Sequence, residues 1–261
     1  FPVGRALVSA WEAADPVVRA TCDAARVREP DGLPCLDRAD VDFLPPVPDP
    51  GSVFAIGLNY ASHCVEQGRP TPAEPLFFLK ATSCLIGHRQ PIVAWPLTRE
   101  LDFEGELAVV IGRGGRAIPE SEALSHCFGW TVFHDVSARD LQRNDRQWSR
   151  AKGLDTFGPI GPFVVTRDEV PDPQALRVRT DVNGEPMQDA STSEMAFPVA
   201  RLIAHLSQAM TLRPGDIVST GTPGGVGLFR NPQRFLVPGD VVRIRIDGIG
   251  ELENPVVLPS S

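Results

Sequence analysis

The chain has 261 residues, 42% of them hydrophobic, and a formal net charge of −8, enough for one large domain or a main domain with a small extra module. Its 25 Lys and Arg against 33 Asp and Glu form no run or stripe, which argues against a nucleic-acid partner, and no apolar run approaches the ~20 residues that span a bilayer. The five cysteines, an odd number without Cys-x-x-Cys spacing, point to free thiols in a reducing compartment, and the start lacks the cationic flank and apolar core of a signal peptide, so the expected location is the cytoplasm.

Residues 1–51 are expected to form a small N-terminal segment. A stretch over 10–27 has helical character, and FLPPVPDPGS at 43–52 carries four prolines in ten residues, which preclude regular structure. A boundary there leaves 52–261 as the main domain. After it, short apolar runs between Gly and Pro read as strands: 53–58, 75–80, 106–112, 129–136, 161–166, 216–222 and 241–246. Asn183-Gly184 and Asp247-Gly248, each flanked by alternating residues, read as hairpin turns. Helices are few: a short one after Asn59, one near 137–150 and one over 195–210. The expected fold is α+β and β-dominated, with long loops.

The first chemical group along the chain is GLNYASHCVEQGRP, 57–70. Asn59 is suited to cap a short helix and Gly68 to end it, placing Tyr60 and His63, then His63 and Glu66, at i,i+3 on one face. A His oriented by a Glu takes a proton from water well; the bland alternative is an incidental pair on a surface helix. Next comes LDFEGELAVVIG, 101–112. On a strand, Asp102, Glu104 and Glu106 share one face, and carboxylates about 7 Å apart repel by roughly 2 kcal/mol per pair at an effective dielectric near 20. A divalent cation offsets that repulsion. A solvated edge strand would also tolerate the acids, but ELAVVIG runs directly into the core. Asp135, closing GWTVFHDV, offers a third oxygen, with His134 facing the other way and Asp140 reading as a first-turn helix acid. Lys152 follows in a Gly/Pro-rich loop. The stretch RPGDIVSTGTPGGVG, 213–227, runs into small residues whose N–H groups, with Thr220 or Thr222, suit a carboxylate; without GK[ST] it is no P-loop. His88, His126 and His205 read as structural.

In this order, GLNYASH, FLK, DFEGELAVVIG, GWTVFHDVSARDLQ, AKGLDTFGPIGP, NGEPMQDASTSEM and LRPGDIVSTGTPGGVG resemble the fumarylacetoacetate hydrolase superfamily over about residues 52–258. The resemblance implies that family's mixed β-sandwich roll, commonly a homodimer, with a Mg²⁺ or Mn²⁺ site built by Glu104, Glu106 and Asp135. Asp102 is then a neighbour of the ligands. His63 and Glu66 look like the family's water-activating dyad, and Lys152 is similar to its active-site lysine. Tyr60, Lys80, Arg139, Gln142 and Thr222 are expected at the substrate. The implied activity is hydrolytic C–C cleavage of a small diketo-acid of acylpyruvate or fumarylpyruvate type, through a metal-stabilised enolate. The alternative on the same site is an oxaloacetate-type decarboxylase, or an isomerase or tautomerase of an unsaturated hydroxy-diacid. Retention of His63 and Glu66 favours hydrolysis. A metal-dependent nuclease is disfavoured by the missing basic surface, and a silent metabolite binder by the intact ligand set. The expected partner is a small-molecule carboxylate, with no membrane.

Overall fold

The computed structural model describes residues 41–259. The expected helix over 10–27 and most of the N-terminal segment lie outside the described residues. The proline-rich stretch has no regular structure, yet it is a strap rather than a free tether. Val47 is fully buried against the strands behind it.

Strands β1 (Val53–Gly57), β2 (Leu76–Lys80), β3 (Leu85–Ile86), β6 (Gly105–Ile111), β7 (Cys127–His134), β9 (Gly158–Thr166) and β12 (Ile217–Ser219) form one sheet in the order β2-β1-β12-β6-β7-β9-β3. A second sheet runs β11-β10-β13-β14-β4, made of β4 (Ile92–Val93), β10 (Arg177–Val182), β11 (Glu185–Ser191), β13 (Val241–Ile246) and β14 (Gly250–Val257). A short pair, β5 (Leu101–Asp102) with β8 (Ser137–Ala138), stands beside them. Among the described residues the α-helices are α1 (Ala61–Glu66), α2 (Arg139–Asp145), α3 (Trp148–Lys152) and α4 (Val199–Ala209). The β-dominated α+β class expected from the sequence is the one observed.

Strand alternation sorts β6 cleanly. Leu107, Val109 and Ile111 join Val132, Val178, Val242 and Ile244 in the main core. Ala108 and Val110 join Val53, Phe133, Ile160 and Ile217 in a second cluster. With both faces covered, the strand is apolar throughout, as a central strand must be. Glu106 shares the face of Ala108 and Val110 and is the exception that needs explaining.

The structure departs from the sequence reading in several places. The single strand expected across 102–112 is broken: β5 ends at Asp102, Phe103 and Glu104 are irregular, and β6 begins at Gly105. Asp102 therefore turns to partners of its own. The helix expected near 137–150 divides into β8, α2 and α3, because Arg146 takes a left-handed conformation (φ 58°) and the Gln147 side chain accepts from Ser149 N–H to start α3 anew. Asn59 does not cap α1. Its amide donates to Phe197 O and Thr220 O and accepts from Phe197 N–H, joining three segments. The Asn183-Gly184 turn joins β10 to β11 with both residues at positive φ (54° and 81°), the requirement of a type I′ hairpin.

Cys64, Cys84 and Cys127 are free and buried; Cys22 and Cys35 lie outside the described residues. Burial pushes the Cys84 thiol up to about 11, against the pull of Lys80, and Cys127 up to about 12. Iodoacetamide at pH 8 should therefore leave both unlabelled in the native protein and modify both in guanidinium, as read by peptide mapping. Native labelling at the rate of an exposed thiol would contradict their placement.

Candidate metal and acid–base site

Three carboxylates meet where β6 begins and β7 ends. Glu104 immediately precedes β6 and Glu106 is its second residue. Register pairs Gly105 with His134, and Asp135 N–H donates to Glu104 O at 3.0 Å, bringing the Asp135 side chain alongside. Ligand oxygens of Glu104, Glu106 and Asp135 lie within 4.8 Å of one another, all buried, and are the one such acidic group among the described residues.

Their partners differ. Glu104 receives Lys152 Nζ at 2.6 Å and lies 2.7 Å from Arg139 Nη2, an ion pair rather than an aligned hydrogen bond. Asp135 receives Lys152 Nζ at 2.7 Å and Lys80 Nζ at 2.5 Å. Glu106 has only neutral donors: Ser219 Oγ at 2.5 Å and Gly221 N–H at 2.9 Å, both on Oε2. Its Oε1 is buried without a partner. Counting Asp102, four buried carboxylates face three buried cations (Lys80, Arg139, Lys152), so one negative charge is uncompensated. Burial raises Glu104, but the Lys152 ammonium and Arg139 guanidinium outweigh it and hold its carboxyl far below the usual range. Burial, then the Asp135 and Glu104 charges, push Glu106 well above it. An all-oxygen donor set with an orphaned buried carboxylate oxygen fits a hard divalent cation such as Mg²⁺ or Mn²⁺.

Helix α1 supplies the acid–base pair. His63 Nδ1 is 2.6 Å from Glu66 Oε1, and His63 Nε2 is 2.7 Å from Gln67 Nε2. A neutral imidazole protonated on Nδ1 satisfies both contacts, leaving Nε2 as the basic nitrogen. The helix is tethered by Gly225 N–H donating to Glu66 Oε2 (2.7 Å) and Gly224 N–H donating to Ser62 Oγ (3.1 Å). Gly225 must be glycine: its φ is +105°, and a Cβ there would meet Met187 O at 2.3 Å.

A cavity of about 990 Å³ opens on this site, lined at its inner end by His63, Gln67, Glu104, Arg139, Lys152 and Thr222, with Gln142 also in the wall. The structure thus brings the expected ligands, dyad, lysine, Arg139, Gln142 and Thr222 together. Tyr60 and Lys80, expected at the substrate, do not line the cavity. Tyr60 is wholly buried, with burial and the Glu106 charge keeping its hydroxyl protonated. Lys80 stands behind Asp135, donating to it and to the Lys152 carbonyl. Gln188, missed from the sequence, accepts from Gly105 N–H and donates to Thr222 Oγ1 and Pro223 O. It fastens the Thr222 loop to the start of β6. Ser219, Gly221 and Gln67 were also missed. Burial, then Lys80, depress His134 to about 3, so it is neutral. His88 accepts from Glu253 N–H and His126 bonds the Arg113 carbonyl, both structural as expected. Among the described residues no helix is long and apolar enough to cross a membrane.

Comparison with known proteins gives a consistent picture. The family model described as "Fumarylacetoacetate (FAA) hydrolase C-terminal" matches residues 52–257. The bovine protein named oxaloacetate tautomerase FAHD2A, mitochondrial, is 49% identical over 227 residues, 86% of this chain and 72% of that one. Among solved structures, an HpcE protein from Mycobacterium smegmatis aligns with TM-score 0.87 and 41% identity, covering 98% of this chain and 88% of that one. A 2-hydroxyhepta-2,4-diene-1,7-dioate isomerase from Mycobacterium marinum aligns with TM-score 0.75 and 42% identity over 85% of this chain and 80% of that one.

Proposed function

The chain belongs to the fumarylacetoacetate hydrolase family and has its fold, and from that premise we propose that it is a divalent-metal-dependent tautomerase of an oxaloacetate-like 2-oxo acid. The observation that carries this reading is the pairing of an acidic cation site with an imidazole beside it, in a chain 49% identical to a protein named for that reaction. A Mg²⁺ or Mn²⁺ ion held by Glu104, Glu106 and Asp135 supplies Lewis acidity toward the substrate's oxygens. The protein's own groups do the rest. With Arg139 and Lys152 in the cavity wall, and the cluster's one uncompensated negative charge turned net positive by a bound divalent cation, the site attracts the carboxylate that a chain of net charge −8 otherwise repels. His63 Nε2, left with the free lone pair by the Glu66 contact at Nδ1, takes the hydroxyl proton of the enol and returns a proton to the carbon beside the carbonyl, and the reverse order forms the enol. Helix α1, tied down at Gly224 and Gly225, keeps bulk water away from that exchange.

Hydrolytic C–C cleavage uses the same parts, with His63 taking its proton from water. Proton transfer is favoured by the isomerase and tautomerase names of the relatives. His63→Ala should lower tautomerase kcat/KM by about 10²–10⁴-fold while Mn²⁺ binding, followed by calorimetry, stays unchanged. The test is enol-to-keto conversion of oxaloacetate, followed by enol absorbance, with product identification by NMR. Acylpyruvate cleavage or pyruvate release at a higher kcat/KM than interconversion would overturn the choice of reaction. We carry the expected homodimer as part of this reading; light scattering returning twice the chain mass supports it.

A further inference from the structure

Gln188 stands between the carboxylate cluster and the loop that holds helix α1, yet proton transfer at His63 gives it no task. It is 2% exposed and lies on β11, at the edge of the second sheet, paired with Thr180 of β10. Facing this pair is Gly105, the residue between Glu104 and Glu106. A Cβ at Gly105 would come within 2.2 Å of Thr180 Oγ1 and 3.4 Å of Gln188 Oε1, so glycine is what lets the start of β6 approach the second sheet this closely. The Gln188 amide is engaged at both ends. Oε1 accepts from Gly105 N–H at 2.9 Å, and Nε2 donates to Thr222 Oγ1 and Pro223 O, both at 2.8 Å. Thr222 Oγ1 in turn donates to Gly105 O at 3.1 Å. Both backbone groups of Gly105 are thereby tied to one loop. That loop continues at once into Gly224 and Gly225, whose N–H groups donate to Ser62 Oγ and Glu66 Oε2 of α1, and Glu66 Oε1 lies 2.6 Å from His63 Nδ1. A continuous series of hydrogen bonds therefore runs from the backbone between the two glutamates to the imidazole, the kind of connection that carries coupling between sites.

We propose that Gln188 is a positioning residue that couples the Glu104–Glu106 pair to helix α1, so that a cation held by the glutamates firms the seating of His63. This rests on the reading of the three acids as a cation site and of His63 as the base. A buried amide needs partners for its polarity alone, but these partners are the segment between two ligands and the loop that seats the base. Methionine matches glutamine in length and nearly in volume and has neither the amide donor nor its acceptor, so Gln188→Met cuts the link with little change in packing. Glu106 keeps its own donors, Ser219 and Gly221, so the cation site survives the cut.

The test is amide hydrogen exchange by mass spectrometry with Mg²⁺ alone and no substrate, on peptides spanning 58–69 and 220–228. In the wild type, Mg²⁺ should slow exchange in both by about tenfold. Gln188→Met should bind Mg²⁺ by calorimetry as the wild type does, yet show no slowing over 58–69. Gln188→Asn, one methylene shorter, keeps the amide but cannot span both partners; it should behave the same way and decides the matter if the methionine variant does not fold. With Mg²⁺ bound, kcat per metal site in either variant should fall about 10–100-fold at unchanged KM, since Gln188 does not line the cavity. Simple loss of folded protein would leave kcat per metal site as it was. The coupling is overturned if Mg²⁺ gives the wild type no such protection, or if the protection survives the Gln188 variants, as it would were His63 to sense the cation directly. Mg²⁺ that does not bind the wild type strikes the cation site and the coupling with it, whereas missing oxaloacetate turnover beside intact, Gln188-dependent protection strikes only the proposed reaction.

Discussion

Glu106→Gln removes metal-dependent turnover, lowering kcat/KM by about 10³-fold or more, while the metal-free variant melts no lower than its parent. The expectation follows from the unequal partnering of the three acids. Glu104 and Asp135 each rest against buried cations, but Glu106 has only a hydroxyl and a backbone N–H, with Oε1 unpartnered. Glutamine keeps the size of the side chain and an oxygen for Ser219 and Gly221. It removes the charge a cation would need and the penalty of burying it. Because burial and the neighbouring acids raise Glu106 in the fold, its ionised form opposes folding at any pH above the ordinary carboxylate range, so neutralising it is expected to raise apo stability or leave it unchanged. In the wild type, Mn²⁺ at a hundred times its Kd should stabilise the fold by about 2.7 kcal/mol, a rise of roughly 5–10 °C in Tm. The variant should show no such rise. A Glu106→Gln protein that still shifts with Mn²⁺ and turns over normally would remove Glu106 from the metal site.

Why this acid was legible in the sequence, and its neighbours less so, is a matter of interaction range. Glu104 and Glu106 stand out because two-residue alternation beside a run apolar on both faces is a local signal. Asn183-Gly184 is equally local, since its turn chemistry lies in the pair itself. Asp102 obeys the same alternation, but the break at Phe103 depends on donors over a hundred residues away at Gly227 and Leu228. The resemblance carried by FLK places Lys80 at the substrate. Its ammonium is drawn instead to Asp135, 55 positions on, a pairing no local pattern contains. Asn59 has the chemistry of a cap, yet its amide serves Phe197 and Thr220. Gln67 was missed for a simpler reason: the i,i+3 reading stopped at Glu66, whereas helical neighbours also lie at i,i+4. The left-handed turn at Arg146 separates α2 from α3, and arginine gives no hint of it.

Asp102→Ala, on the same segment, should do the reverse and cost the fold about 3–5 kcal/mol, roughly 6–20 °C in Tm. Asp102 is fully buried and its two oxygens organise four donors. Oδ1 accepts from Phe103 N–H at 2.8 Å and Gly227 N–H at 2.7 Å, and Oδ2 from Arg139 Nε at 2.7 Å and Leu228 N–H at 3.1 Å. Alanine leaves three backbone donors and part of a guanidinium dehydrated and unpaired, which is the expensive way to lose a hydrogen bond. The damage reaches the cavity by a traceable route. Arg139, left with Glu104 as its only acidic partner, draws that ligand toward itself, and the segment at Leu228 that lines the cavity loses its anchor. Asp102→Asn separates the two contributions. The amide keeps one accepting oxygen but not the charge, so it should recover part of the stability and little of Arg139's alignment. Urea unfolding, compared with Mn²⁺ affinity by calorimetry, distinguishes the roles: Asp102→Ala loses stability with the metal still bound, and Glu106→Gln loses the metal with stability kept. If Asp102→Ala unfolds within 1 kcal/mol of the parent, the carboxylate is not the clamp described. Two acids four residues apart thus answer to different forces, one to the protein's own donors and the other to a cation.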